Sequence, residues 1–323
     1  MPLVPYRIAD TRCAASPQPS FCKSENIPSQ NILLASPGAG GSITVQVTGT
    51  GSTLGSVPPN AQSAVLNVTA VASQSAHPGY LTVYPAGTDP PTASSLNYVP
   101  GEAVPNLVTA TIGKDGAISI LSSSAGVNIV VDVEGYYGPS LPAGSRFNPL
   151  PLPVRVLDTR CDASPQPSFC KSENIPSQNM TLHAPGPGKS ISISITGIDG
   201  SSGIPSSGVT AVSLVATSAG PSSGGYMTLW PDTGSCSTPP MASNVNFHKG
   251  AASANSVTVA SGNYGKLCIY NSASTATNAV IDVNGYFSST GDPARHIART
   301  TYGLHVASIA YTHRRRWSEG ITG

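Results

Sequence analysis

The sequence predicts an all-β chain of two tandem β-sandwich (jelly-roll-like) modules of the same fold. Three observations carry this. The chain is written twice: DTRCAASPQPSFCKSENIPSQN, from Asp10 to Asn31, returns from Asp158 to Asn179 with only Ala14 changed, to Asp162. A period of roughly 150 residues is domain-sized, well beyond the 20–50 residues of a solenoid repeat. Apolar residues alternate at the strand period of two, as in Ile43, Val45 and Val47 and their counterparts Ile191, Ile193 and Ile195. The 33 Gly and 30 Pro punctuate the chain too often for long helices.

Taken in order, the first repeat offers further strands at 63–71, 80–84, 106–112, 117–121 and 127–133. Their counterparts fall at 209–217, 225–230, 256–260, 266–270 and 278–283. His77-Pro78-Gly79, Lys114-Asp115-Gly116 and Gly262-Asn263 supply turn chemistry between them. Seven or eight short strands per repeat, without helical periodicity, point to a sandwich or jelly roll. The domain reading is module 1 at 1–138, a linker at 139–144, module 2 at 145–287 and a basic tail at 288–323. The Pro/Gly linker is too short to let the modules move far apart.

Charged residues make up 10% of the chain, against roughly a quarter in an ordinary soluble domain. A net charge of +1 offers no electrostatic footprint for nucleic acid. The balance is uneven: residues 1–288 carry 11 basic and 13 acidic side chains, while the tail holds Arg295, Arg299, Arg314, Arg315 and Arg316 against Asp292 and Glu319. No apolar run is long enough to span a membrane, and no signal peptide opens at Met1.

The cysteines nevertheless predict export, with the leader absent from this sequence. Cys13 and Cys22 enclose the same spacing as Cys161 and Cys170, and Cys236 and Cys268 are the leftover pair. Three disulfides in an oxidising compartment follow. Chain entropy assigns roughly 2.5–3 kcal/mol to each short loop and about 3.7 kcal/mol to the long one. The spacing is wrong for a zinc half-site, so no metal is expected.

The motifs that hint at chemistry read better as structure. Gly220-Pro221-Ser222-Ser223-Gly224 matches GxSxG but joins two strand candidates as a hairpin loop, not a strand and a helix. Gly186-Pro187-Gly188-Lys189-Ser190 has the end of a P-loop without its first glycine or its helix. The histidines at 77, 183, 248, 296, 305 and 313 lack ligand spacing. Asp132 and Asp282 recur beside glycine, and acceptance of backbone N–H bonds at a strand end is favoured over calcium. Asp-Thr-Arg at 10–12 and 158–160 suits an internal Asp–Arg pair with a capping Thr. Asn67-Val68-Thr69 and Asn179-Met180-Thr181 are sequons read as coincidental. No catalytic residue and no cofactor is expected.

Tyr80, Tyr84, Tyr226, Trp230, Tyr136, Tyr137 and Tyr286 form a repeated aromatic set. Sandwich core is favoured for them; exposed, Tyr80, Tyr84, Tyr226 and Trp230 would be the ligand-binding candidates, since a ring can stack on a sugar face.

Val154-Arg155-Val156-Leu157-Asp158-Thr159-Arg160, Leu66-Asn67-Val68-Thr69-Ala70, Gly79-Tyr80-Leu81-Thr82-Val83-Tyr84-Pro85, Pro105-Asn106-Leu107-Val108 and Asp282-Val283-Asn284-Gly285-Tyr286-Phe287 together resemble a β-rich repeat module. That module is found in tandem, or appended to other exported domains, on secreted and surface proteins of actinobacteria and Chloroflexi. The resemblance covers nearly all of residues 5–287 and implies location and architecture, with no assigned catalytic residues. Repeat two departs where Leu214-Val215-Ala216 is read against Asn67-Val68-Thr69.

The functional expectation is a non-enzymatic extracellular or cell-surface structural or assembly subunit, self-associating head to tail as a homopolymer. A glycan-binding adhesin or carbohydrate-binding module, with surface glycans as partners, is the alternative. Glycosidase chemistry needs two converging carboxylates, and no acidic pair outside Asp-Thr-Arg recurs. Repeat one lacks a counterpart of Ser145 to Leu150, which predicts an open sheet edge, and the strand-like Tyr302 to Tyr311 segment of the tail is the expected strand donor between copies.

Overall fold

The computed structural model describes residues 1–23, 25, 27–52, 55–138, 144–172, 175–196 and 203–289. Residues 139–143 of the 139–144 linker, the proposed donor strand 302–311 and Arg314 to Arg316 lie outside the described residues. Met1–Ser289 forms one compact unit. Module 1 contains β1 (Pro2–Asp10), β2 (Ser42–Gln46), β3 (Gly51–Ser52), β4 (Gly55–Ser56), β5 (Ser63–Val71), β6 (Gly79–Pro85), β7 (Leu96–Tyr98), β8 (Ala103–Thr111), β9 (Ala117–Ser122) and β10 (Asn128–Tyr137). Module 2 contains β11 (Arg146–Asp158), β12 (Lys189–Ser194), β13 (Val209–Ala219), β14 (Gly225–Pro231), β15 (Val245–Phe247), β16 (Ser253–Ala260), β17 (Lys266–Asn271) and β18 (Asn278–Ser288), with one helical turn, α1 (Ser177–Met180).

Each module is a jelly roll of two four-stranded antiparallel sheets. In module 1 the orders are β1-β10-β5-β8 and β2-β9-β6-β7; in module 2 they are β11-β18-β13-β16 and β12-β17-β14-β15. Successive strands mostly cross from one sheet to the other, the double Greek key of an eight-stranded jelly roll. The alternating residues fill the space between the sheets. Ile43, Val45, Leu66, Val68, Ile118, Ile120, Val131 and Val133 are buried in one core. Ile193, Leu214, Met227, Leu229, Val257, Val259, Ile281 and Val283 are buried in the other.

β1, β7, β11 and β15, and the two-residue β3 and β4, escaped the sequence pattern. β1 and β11 are edge strands whose pairing with β10 and β18 is broken by register shifts, and β11 carries Pro149, Pro151 and Pro153. Proline and bulges are tolerated at a sheet edge but erase the period of two. The Gly220–Gly224 loop is also corrected: it leads from β13 to β14, which lie in different sheets, so it is a crossover and not a hairpin. Gly116 and Gly265 hold φ of +77° and +66° in matching turns, where a Cβ would collide with Thr48 and Thr196. Only glycine fits there.

The near-identical segments build the same satellite on both modules. Disulfides join Cys13 to Cys22 and Cys161 to Cys170, and a third joins Cys236 to Cys268. Arg12 lies over the Phe21 ring and Arg160 over Phe169, each 4.7 Å from the centroid. Asn31 Nδ2 donates to Ile8 O of β1 and Gln46 O of β2, both at 2.9 Å, and its Oδ1 accepts from Gln46 N at 3.0 Å. Asn179 repeats this with Val156 and Ser194. One amide thus fastens the edges of the two sheets together. Both atoms of the Asn179 amide are spent and the residue is buried, so this sequon serves the fold.

Candidate functional site

The chemistry concentrates where the modules meet. Arg7, on β1 directly opposite Asp132 on β10, donates Nε to Asp132 Oδ1 at 2.9 Å and Nη1 to Glu25 Oε1 at 2.6 Å. Asp10 begins the following 3-10 turn and accepts from Arg12 N at 3.0 Å and Arg12 Nε at 2.8 Å. The cap is therefore Asp10, whereas Thr was expected. Thr11 instead ties the turn to β10: its hydroxyl donates to Asn128 Oδ1 at 3.0 Å and accepts from Ile129 N at 2.9 Å. Asp132 and Asp282 lie mid-strand and not at a strand end, each the partner of an arginine, Asp282 receiving Arg155 Nε at 2.8 Å. Asp132 also accepts the backbone N–H of Ser243. Burial pushes the Glu25 carboxyl up to about 7, with Arg7 pulling the other way.

Beside this cluster runs a buried polar seam between modules. The outer face of β1, β10 and β8 meets the β15–β16 side of module 2, and β5 joins the contact through Asn67. Asn255 Nδ2 donates to Asn67 Oδ1 and to Asn244 O, each at 2.8 Å, and its Oδ1 accepts from Leu107 N at 3.2 Å. Asn67 Nδ2 donates to Ser243 O. Glu134 is 0% exposed; Asn244 Nδ2 donates to its Oε1, and Thr258 N to its Oε2 at 3.2 Å. Burial pushes the Glu134 carboxyl up to about 8, against the pull of those two donors and with Asp132 adding to the rise. Burial in the seam thus favours the protonated form of this acid.

The residues of this seam were missed in the sequence. Their signal was the departure between repeats, misread by one position. Asn67 stands opposite Asp132 and Val215 opposite Asp282, so Val215 is the counterpart of Asn67. The Asn67 sequon is closed off by burial at 0% exposure.

A cleft of about 430 Å³ opens along the same junction, lined among others by Arg12, Phe21, Glu25, Thr69, Tyr226 and His248. Thr69 Oγ1 is buried there with no partner among the described residues. Of the four proposed ligand aromatics only Tyr226 lines this cleft. Tyr80 is exposed on module 1. Tyr84 and Trp230 are buried at 6% and 5%, yet neither belongs to its module's core. They share a sheet face with Tyr80 and Tyr226, each four residues along its strand, and are covered from outside. Trp230 stands opposite Cys268, whose disulfide to Cys236 lies over this part of the sheet. These four are thus neither core nor one platform, being dispersed over two modules with half of them closed to a ligand, whereas Tyr286 belongs to the module 2 core and Tyr136 packs against that of module 1.

No family model and no curated protein matches the chain. Among solved structures, the N-terminal CBM22-1–CBM22-2 tandem domain of Xyn10C from Paenibacillus barcinonensis is 9% identical, covering 80% of this chain and 86% of that one at a TM-score of 0.20. The STIV MCP is 8% identical, covering 78% of this chain and 93% of that one at 0.21. The triple jelly roll of an archaeal virus turret assembly is 12% identical, covering 78% and 57% at 0.18. Scores this low carry no argument about function. Three disulfides suit an oxidising compartment. No described helix is long and apolar enough to cross a membrane. The chain is a tandem pair of jelly-roll β-sandwiches.

Proposed function

We propose that this chain is a non-enzymatic structural or assembly subunit of the extracellular or cell-surface space. The observation that carries the reading is the seam. Asn67, Glu134, Asn244 and Asn255 spend their polar atoms on holding one jelly roll against the other. The charged groups beside them, Arg7, Asp10, Arg12, Glu25 and Asp132, are spent on one another. A chain that commits its buried polar chemistry to fixing two modules in register is suited to presenting surfaces in a set arrangement. The charge-poor surface and the motif resemblance to secreted and surface modules support the same reading. Electron microscopy and light scattering on the purified full chain test it: ordered oligomers that grow with concentration are expected, and a monodisperse monomer throughout would overturn it.

Glycan binding is the second reading, and one observation favours it. The junction cleft presents the Tyr226 and Phe21 rings beside Arg12, Glu25 and the unpartnered Thr69 hydroxyl, within the size range of small-ligand sites. A glycan array on the wild type and on Tyr226→Ala decides it: a signal lost in the variant supports binding in the cleft, and no signal at all removes it.

A further inference from the structure

The seam joins two copies of one fold through different surfaces. Module 1 contributes a sheet face and module 2 contributes the side formed by β15 and β16. A contact of this kind is heterologous, and each module owns both halves of it. β11 and β18 make no comparable contact with module 1 among the described residues. One copy of each half is therefore left over: the face of module 2 and, on module 1, the part of the β7–β8 side around Ser94 and Thr109 that stays open although β8 itself also meets β15 and β16.

Exposure shows the leftover face directly. On module 1, Val65, Asn67 and Thr69 of β5 are 3%, 0% and 2% exposed, although they point away from their own core. Their counterparts Ser213, Val215 and Thr217 on β13 are half-buried. The ion pair behind them changes in the same sense. The side chains of Arg7 and Asp132 are 9% and 1% exposed, against 29% and 26% for Arg155 and Asp282. The other leftover half is also open. Ser94 and Thr109 are exposed and Ser95 and Asn106 half-buried, where their counterparts Ser243, Asn244 and Asn255 are buried and Thr258 half-buried.

We infer that the module 2 face of one molecule docks on the β7–β8 side of module 1 in the next, repeating the internal seam between copies. This rests on the assembly reading and specifies its interface. Since the contact joins unlike surfaces, it propagates in one direction and generates open filaments or a ring, according to the rotation. The sequence differences across the two halves set its strength. Val215 replaces Asn67, so Asn106 meets no amide across the contact. Asn284 replaces the buried acid Glu134, and it faces Ser95 in place of Asn244. The contact between copies has fewer hydrogen bonds than the seam and no buried carboxyl, so it is the weaker of the two and dissociates on dilution.

The test uses the full-length chain and two single variants. Val215→Arg blocks the face, and the new side chain has Asp282 opposite it to preserve the fold; Thr109→Arg blocks the β7–β8 side at an exposed position. Sedimentation and light scattering should find wild type growing in mass with concentration and each variant at monomer mass. An equimolar mixture of the two variants should stop at twice the monomer mass, since one open face remains for one open side. That heterodimer also shows that both variants are folded. If wild type grows and the variants grow equally, this interface is wrong while the assembly reading stands. If wild type stays monomeric at all concentrations, both fall. A mixture that remains monomeric, with each variant retaining the wild-type circular dichroism and melting transition, also overturns the proposal.

Discussion

The two modules share a fold, a disulfide satellite and an arginine–aspartate pair, yet they use that pair in opposite settings. In module 1 the pair is sealed beneath module 2; in module 2 it faces outward and is about a quarter exposed on both sides. The same residues at the same register positions are thus a buried commitment in one place and a surface feature in the other. The difference shows that the environment, rather than the motif, sets what an ion pair contributes.

The sharpest way to break this comparison is to remove the arginines. Arg7→Met removes the main cationic partner of the buried Asp132 and Glu25, and a loss of about 3–5 kcal/mol is expected in guanidinium unfolding. Arg155→Met, in the partly solvated setting, should cost about 1 kcal/mol or less. Equal losses would mean that the seam does not govern these pairs.

Next come the seam asparagines. Asn255 makes three bonds across and along the junction, and Asn255→Ala should cost about 2–4 kcal/mol by leaving Asn67 Oδ1 and Leu107 N unsatisfied. Asn106, its counterpart, donates to Ser95 O at 2.7 Å. Asn106→Ala should cost only about 1 kcal/mol in dilute solution.

Acidity separates the modules further, because only module 1 places a carboxyl at the bulge where module 2 has Asn284. Glu134 is raised from 4.5 to about 8 in the folded state. The folded chain therefore keeps a proton that the unfolded chain releases. Its stabilising contribution is full below about pH 4.5 and is lost progressively as pH rises to about 8, on the order of a few kcal/mol. Glu25, raised to about 7, adds a loss of the same sign. Glu134→Gln should flatten the Glu134 part of this slope, and a slope unchanged in that variant would show that the acid is ionised in the seam. The smallest effect is also the most symmetrical. Phe21→Ala and Phe169→Ala remove the same ring from under Arg12 and Arg160, and each should cost about 0.5–1 kcal/mol, equally in both modules.

Much of the fold was legible because alternation and repetition are local signals. Ile43, Val45, Ile191 and Ile193 declare a strand wherever they are placed. β1 and β11 were hidden because edge pairing tolerates the prolines and bulges that erase alternation. The seam was far less legible. Asn67 and Asn255 lie 188 residues apart in sequence, and nothing local distinguishes an asparagine that meets another across a junction from one that faces water. The repeat itself held the one usable sign, since a residue present in only one copy cannot serve the shared fold. The aromatic set misled for the opposite reason: Tyr84 and Trp230 obey strand alternation, but the loops that cover the outer face are invisible to a period.

The near-identical segments bear on how the chain is oxidised. With four cysteines in two interchangeable contexts, Cys13 has equally compatible local partners in Cys22 and in the second copy. The native partner is nine residues away, whereas the alternative would close a loop of roughly 150 residues, at an added chain-entropy cost of about 2.5 kcal/mol. Each short disulfide can therefore form as soon as its own segment emerges during synthesis, before the twin exists. Once closed, it leaves no thiol with which the twin could be confused. Duplication of the segment is safe because each bridge is completed within its own copy.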